Sequence, residues 1–256
     1  MNKTLIVANW KMNLNVHESS LLVHRLNAFI KTHRNVEVVL APGFVALQPI
    51  SLEIDRRKFK LAAQNAHYKD EGAFTGEVSF NQLRDLVDYC IIGHSERRHF
   101  FAETLEVVRD KVQAAVRNDI VPILCVGESK QERLDGHTKM VVHDQLTTAL
   151  ANLTSEEIEG VVIAYEPVWA IGTGTAATPG QVAEVMKWIR HIIHDLYGAT
   201  IAENIRVIYG ASVEPDFVKG LLAVEGVDGF LVGGASLNYQ KFASIVDNAY
   251  QFIHEK

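Results

Sequence analysis

Glu166, His94, Lys11 and Asn9 are the side chains of this 256-residue chain whose types and settings could do chemistry together. Glu166 directly follows the apolar run Val161-Val-Ile-Ala-Tyr165 and precedes Pro167. Alone, such a carboxylate reads equally as one partner of a structural ion pair or as a general base whose apolar surroundings disfavour its charged form. Pro167 restricts Glu166 to extended backbone and so fixes the direction of the carboxylate. The following residues, Val168-Trp-Ala-Ile-Gly-Thr-Gly174, combine bulky apolar groups with two glycines. That composition predicts a movable hydrophobic flap that expels water when it closes.

His94 stands before Ser95-Glu96-Arg97, where a short helix is expected to begin. A lone histidine is often structural, but at a helix N-terminus the positive dipole end depresses imidazole basicity. A neutral imidazole can still donate a hydrogen bond to a developing oxyanion. Lys11, after Asn9-Trp10, reads either as a solvated lysine or as a cation placed to hold an anionic ligand. Gly233-Gly234-Ala235-Ser236 and Gly210-Ala211-Ser212 are small-residue turns whose backbone N–H groups could approach a phosphate.

These residues need a scaffold that gathers them. Short apolar, largely β-branched runs recur at 4–9, 36–41, 59–64, 89–92, 121–126, 161–165, 205–209 and 229–232. Their near-continuous apolar character is that of parallel strands covered on both faces. Amphipathic stretches lie between them. Leu22, Leu26 and Phe29/Ile30 fall at helical spacing, as do Val142, Leu146, Ala149 and Leu150, and then Val182, Val185, Met186, Ile189 and Ile193. Eight strands alternating with helices in about 250 residues fit a (β/α)₈ barrel, an α/β fold with eight parallel strands surrounded by helices. A doubly wound open sheet could also hold eight. No linker-like stretch divides the sequence, so residues 1–256 are read as one barrel domain. In such a barrel the C-terminal strand ends converge on one mouth. Asn9, Lys11, Gln64, His94, Glu166, Ser212 and Gly233 all fall at or just past those ends.

Composition narrows the function classes. Apolar residues make up 48% and charged residues 22% of the chain, ample for a core. With 25 Lys and Arg against 31 Asp and Glu, the formal net charge is −6. That balance argues against a nucleic-acid surface, which needs clustered cations. Cys90 and Cys125 lie inside apolar runs and form no CxxC pair, the pattern of buried reduced thiols in a cytoplasmic protein. The N-terminal apolar run is too short for a signal peptide, and no stretch approaches the length needed to cross a bilayer. The histidines show no metal-ligand spacing, and no GxGxxG or GxxxxGK[ST] motif is present. No metal and no dinucleotide or ATP is therefore expected.

With those residues placed, the chain resembles the triosephosphate isomerase family. The likeness is carried by Ala8-Asn-Trp-Lys-Met-Asn13, Ala63-Gln-Asn65, Gly72-Ala-Phe-Thr-Gly-Glu77, Gly93-His-Ser-Glu-Arg-Arg98, the long flap motif of residues 164–174, and Val232-Gly-Gly-Ala-Ser236. These stand in the family's order across nearly the whole chain. The resemblance implies interconversion of dihydroxyacetone phosphate and glyceraldehyde 3-phosphate through an enediolate, with no cofactor. By similarity Glu166 shuttles the proton, His94 is the neutral electrophile, and Asn9 and Lys11 contact the substrate. Gly172, Ser212, Gly233 and Gly234 correspond to a backbone phosphate grip, and Glu96 to a supporting carboxylate paired with Lys11. The loop 72–77 resembles the segment that docks into a second subunit, bringing Thr75 near that subunit's site, so the resemblance implies a homodimer.

Three positions depart from the family's pattern. Ala211 stands where a second glycine is usual, and its Cβ would cost energy if that backbone needs a positive φ. Thr175-Ala-Ala-Thr178 replaces a hinge that commonly holds Lys, and Ala102 replaces a glycine between Phe101 and Glu103. Competing readings are another phosphate-binding barrel enzyme, such as an aldolase, or an inactive phosphometabolite-binding barrel. A Schiff-base aldolase wants a lysine deep on a strand, which Lys11 at the rim does not supply. An inactive relative should have lost Glu166, His94 or the flap glycines, and all are present.

Overall fold

Strand order follows sequence order around a closed parallel barrel: β1 (Thr4–Asn9), β2 (Val36–Ala41), β3 (Phe59–Ala63), β4 (Tyr89–Ile92), β5 (Val121–Val126), β6 (Val162–Tyr165), β7 (Arg206–Tyr209) and β8 (Gly229–Val232), which pairs back onto β1. The computed structural model describes residues 3–172 and 177–255. Within the flap and its hinge, Thr173, Gly174, Thr175 and Ala176 lie outside the described residues.

Three strand boundaries fall one residue inside the expected runs. Gln64 lies just past β3, where its side chain donates to the Lys11 and Ala41 carbonyls. Val161 N–H closes a turn on the Ile158 carbonyl, and Ile205 N–H finishes the preceding helix on the Ile201 carbonyl. Backbone groups already satisfied by a turn or helix end are not free to join a ladder.

The alternation of side chains along each strand sorts the core into two layers. Leu5, Val7, Val39, Ala41, Ala62, Ile91, Ile123, Cys125, Val162, Ala164, Ile208 and Leu231 fill the barrel interior. Ile6, Ala8, Leu40, Leu61, Leu124, Ile163 and Val232 face outward to the helices. Both layers are apolar, which is why the strands read as unbroken apolar runs instead of alternating ones.

The helical spacing in the sequence matches the buried faces. Val182, Val185, Met186, Ile189 and Ile193 are buried along Pro179–Tyr197, and Val142, Leu146, Ala149 and Leu150 along Thr138–Leu150. Thr178 caps the former through Gln181 N–H, with Pro179 in the first turn, where its missing N–H costs nothing. In Val16–Phe29 the buried stripe is Leu22, Val23 and Leu26, continued by Ile30, while Phe29 is exposed and meets Tyr239 edge-on at 4.8 Å. Among the described residues, no helix is long and apolar enough to cross a membrane. Cys90 and Cys125 are both buried and unpaired.

Candidate active site

The strand ends open onto a cavity of about 490 Å³ lined by Asn9, Lys11, His94, Glu166, Gly172, Ser212, Gly233 and Gly234, with Ile171, Leu231 and Lys241 among the other walls. Glu96 stands behind Lys11 and ion-pairs with its Nζ. Thr75 is not part of this cavity. It sits exposed on the loop 72–77 beside Phe74.

Glu166 follows β6 and is buried, with 3% of its surface exposed. Its Oε1 lies 3.0 Å from His94 Nε2, and its Oε2 accepts the Ser95 N–H at 3.0 Å. Burial pushes the carboxyl pKa up, but the facing imidazole and the Ser95 N–H more than offset it, and the net direction is down. His94 caps the helix Ser95–Phe100, and its Nδ1 accepts the Glu96 N–H at 3.2 Å. That bond assigns the ring proton to Nε2, aimed at Glu166. Burial lowers the imidazole pKa, yet the Glu166 carboxylate raises it more, with Glu96 adding to the rise, so the net direction is upward. The helix start expected after His94 is present, while the depressed basicity expected from it is overridden for as long as the carboxylate faces the ring.

Lys11 has φ +53°, a left-handed conformation that costs a side-chain-bearing residue energy. Three groups hold it there. Its N–H donates to Asn9 Oδ1 at 3.1 Å, its carbonyl accepts Gln64 Nε2 at 2.9 Å, and its ammonium pairs with Glu96. Gln64 belongs to the Ala63-Gln-Asn65 motif, but its part in holding Lys11 is invisible in sequence, because a side-chain bond to a strained carbonyl leaves no mark in spacing.

The phosphate-type turns are short and tightly tied. Gly234–Leu237 forms a single 3₁₀ turn after β8, and Ser236 Oγ donates to the Gly233 carbonyl at 2.6 Å. Ser212 Oγ donates to the Ala170 carbonyl at 3.2 Å, linking the turn after β7 to the flap's N-terminal end. Ala211 is not among the residues with positive φ, so its Cβ is unstrained in this arrangement. The strain falls instead on Ala102, at φ +50°.

Glu128, after β5, is wholly buried and was not singled out in the sequence. Its carboxylate accepts Trp169 Nε1 at 2.8 Å, Arg133 Nη1 at 3.0 Å and the Tyr165 hydroxyl at 3.2 Å, and its carbonyl accepts the Val168 N–H. The Arg133 guanidinium also lies over the Trp169 ring, 4.9 Å from its centroid. One carboxylate thus anchors the start of the flap. The rule that strand ends carry function, applied to β5, was the signal available for finding it. At the flap's other end the Ala177 N–H donates to the Tyr209 hydroxyl at 3.1 Å.

Chemically, the cavity offers the Glu166 carboxylate, the His94 N–H, the Lys11 ammonium, a Lys241–Glu214 ion pair along its wall and a rim of backbone turns. Among the described residues, no group of three or more His, Cys, Asp or Glu side chains is gathered so as to hold a metal ion.

A family model described as Triosephosphate isomerase matches residues 4–249. Curated relatives carrying that name align over nearly the whole chain. The protein from Carboxydothermus hydrogenoformans is 46% identical over 247 residues, covering 96% of this chain and 98% of the relative. That from Pelobacter propionicus is 46% identical over 248 residues, covering 96% and 99%, and that from Clostridium botulinum is 44% identical over 248 residues, covering 96% and 100%.

Proposed function

The chain belongs to the triosephosphate isomerase family, and from that premise we propose how its residues divide the work. The reaction is the interconversion of dihydroxyacetone phosphate and glyceraldehyde 3-phosphate, a step shared by glycolysis and gluconeogenesis. It moves one proton between adjacent carbons and changes no overall oxidation state, so one base and one oxyanion donor suffice.

Glu166 takes the proton from the carbon next to the carbonyl and returns it to the neighbouring carbon. The observation that carries this reading is its buried carboxylate at the cavity floor, with His94 Nε2–H across from it at 3.0 Å. Both oxygens are engaged, so the carboxylate must turn away from His94 and Ser95 to reach a substrate carbon. That turn also removes the largest cause that raises the His94 pKa, and the Nε2–H is then free to donate to the enediolate oxygens. Each such donor is worth roughly 10²–10³ in rate. Asn9 and the Lys11 ammonium hold the substrate's oxygens and charge. Backbone N–H groups at Gly172, Ser212, Gly233 and Gly234 grip the phosphate, as suits turns with little side-chain bulk. Water would promote loss of phosphate from the enediolate, so flap closure protects the intermediate as well as the chemistry.

Replacing Glu166 with Asp retracts the carboxylate by one methylene. Displacements of about 1 Å can cost on the order of 10²-fold, so Glu166→Asp lowers kcat far more than it raises KM in a steady-state isomerase assay. An unchanged kcat would remove Glu166 from the role of base and return the aldolase and binding-protein readings to consideration.

The remaining readings are assembly, domain and location. A homodimer through the loop 72–77 is supported by exposed Met12, Phe74 and Phe101 on the connections after β1, β3 and β4, and by exposed Phe44 and Val45 in the first turn of the helix after β2, all at one end of the barrel. Thr75 then reaches the partner's site. Residues 1–256 act as one domain, with the terminal helix Tyr239–Glu255 packed against β1 and β2. The two buried, unpaired cysteines suit a cytoplasmic setting.

A further inference from the structure

Glu166 is a wall between two cavities. Besides the mouth, a second cavity of about 280 Å³ is lined by Glu166, Ser95, Cys125, Gln145 and Val168, and reaches exposed His99 at its rim. The two carboxylate oxygens divide between them. Oε1 faces His94, a residue of the mouth, and Oε2 accepts the N–H of Ser95, a residue of the side cavity. The side cavity has room for several waters, and Glu132, Ser129, Gln145 and His99 give it the polar partners that ordered water needs.

We propose that this side cavity is the route by which the proton held on Glu166 exchanges with solvent. The inference rests on Glu166 being the base. Once Glu166 carries the substrate's proton, two fates compete: return to the neighbouring carbon from the turned position, or a turn back to Ser95, where the carboxyl O–H meets the water of the side cavity. With substrate in the mouth, and Ile171 and Gly172 along its wall, the front of the carboxyl group is occupied. In the exchange step the carboxyl O–H bond breaks, its proton passes to a cavity water, and that water chain delivers a solvent proton to the same carboxylate. Charge and oxidation state are unchanged, and only the isotope differs. The cavity therefore sets the share of turnovers in which the product carries a solvent hydrogen, without setting the rate of proton abstraction.

The test uses the full-length enzyme turning over glyceraldehyde 3-phosphate in deuterium oxide, with the product analysed for deuterium against retained hydrogen. Because this is a ratio per turnover, it does not depend on how much of a variant folds. His99→Trp, which narrows the rim, lowers the deuterated share severalfold while kcat stays near the wild-type value. Cys125→Ala, which widens the cavity beside Glu166, raises that share. A shift of either variant in its stated direction, with neither shifting the other way, supports the route. Unchanged shares in both, or a shift of either in the opposite direction, overturn it. Failure of the base assignment is distinguishable, since Glu166→Asp would then keep its kcat whatever the isotope ratio does.

Discussion

Two glycines set where the Glu166 carboxylate can be. A Cβ on Gly127 would lie 1.8 Å from the Glu166 carbonyl oxygen, and one on Gly210 would lie 3.2 Å from Glu166 Cγ. The first contact is with backbone and cannot be relieved by a rotamer change. Gly127 is also clamped by Gln145, which accepts its N–H at 2.7 Å and donates to its carbonyl at 3.1 Å. Gly127→Ala must therefore displace the Glu166 backbone. Overpacking of this kind costs about 1–3 kcal/mol, and a shift of the base near 1 Å about 10²-fold in rate. We expect a lower melting temperature together with a kcat loss comparable to that of Glu166→Asp. Wild-type kcat in Gly127→Ala would show that the base tolerates backbone movement.

At the scale of the element, the short helix Ser95–Phe100 has its start and its end doing different jobs. Its start supplies the N–H groups that Glu166 and His94 accept. Its end turns back through Ala102, so that the Glu103 N–H reaches the Arg97 carbonyl at 3.2 Å and the Glu103 carboxylate pairs with Arg97 and buried Lys111. That reversal needs a left-handed residue, and Ala102 pays for it with strain of roughly 1–2 kcal/mol. Ala102→Gly removes the strain but frees the unfolded chain by about 0.4–1 kcal/mol. The expected net is a gain of about 0–1.6 kcal/mol, at some 2–4 °C in melting temperature per kcal/mol for a chain of this size. A lower melting temperature would mean that the Ala102 Cβ contributes packing that outweighs its backbone cost.

For the whole molecule, apolar side chains crowd the same barrel end as the mouth. Met12 is 99% exposed and Phe74 is 42% exposed, and these are among the side chains on which the proposed dimer rests. Phe74→Asp, placing a charge in the proposed contact, is expected to convert the assembly to monomers by sedimentation velocity and to lower kcat, since the same loop carries Thr75 to the partner's site in the proposed dimer. A wild-type chain that sediments as a monomer at all concentrations would remove the dimer. The opposite end of the barrel is closed differently. There Arg206 bonds Glu37 at 3.1 Å and the Tyr89 hydroxyl at 3.0 Å, a polar plug remote from the mouth.

The amino-acid sequence by itself determined the barrel and most of the mouth. Strand spacing, apolar runs and helical stripes are local patterns, and the convergence of strand ends follows once the barrel closes. Asn9, Lys11, His94, Glu166, Ser212, Gly233 and Gly234 were therefore legible as a group, and Glu166 was legible as a carboxylate whose direction Pro167 limits. The tertiary structure alone decided what those residues touch. Gln64 holding the Lys11 carbonyl, Glu128 anchoring Trp169, and Gly127 making room for the Glu166 carbonyl are contacts between strands far apart in sequence. Strain moved likewise, to Ala102 instead of Ala211, because the sign of φ is set by the hydrogen bonds a turn must make and not by the residue type that occupies it. The direction of the His94 pKa is of the same kind: a helix start argues one way, and a carboxylate brought within 3.0 Å by the fold argues more strongly the other.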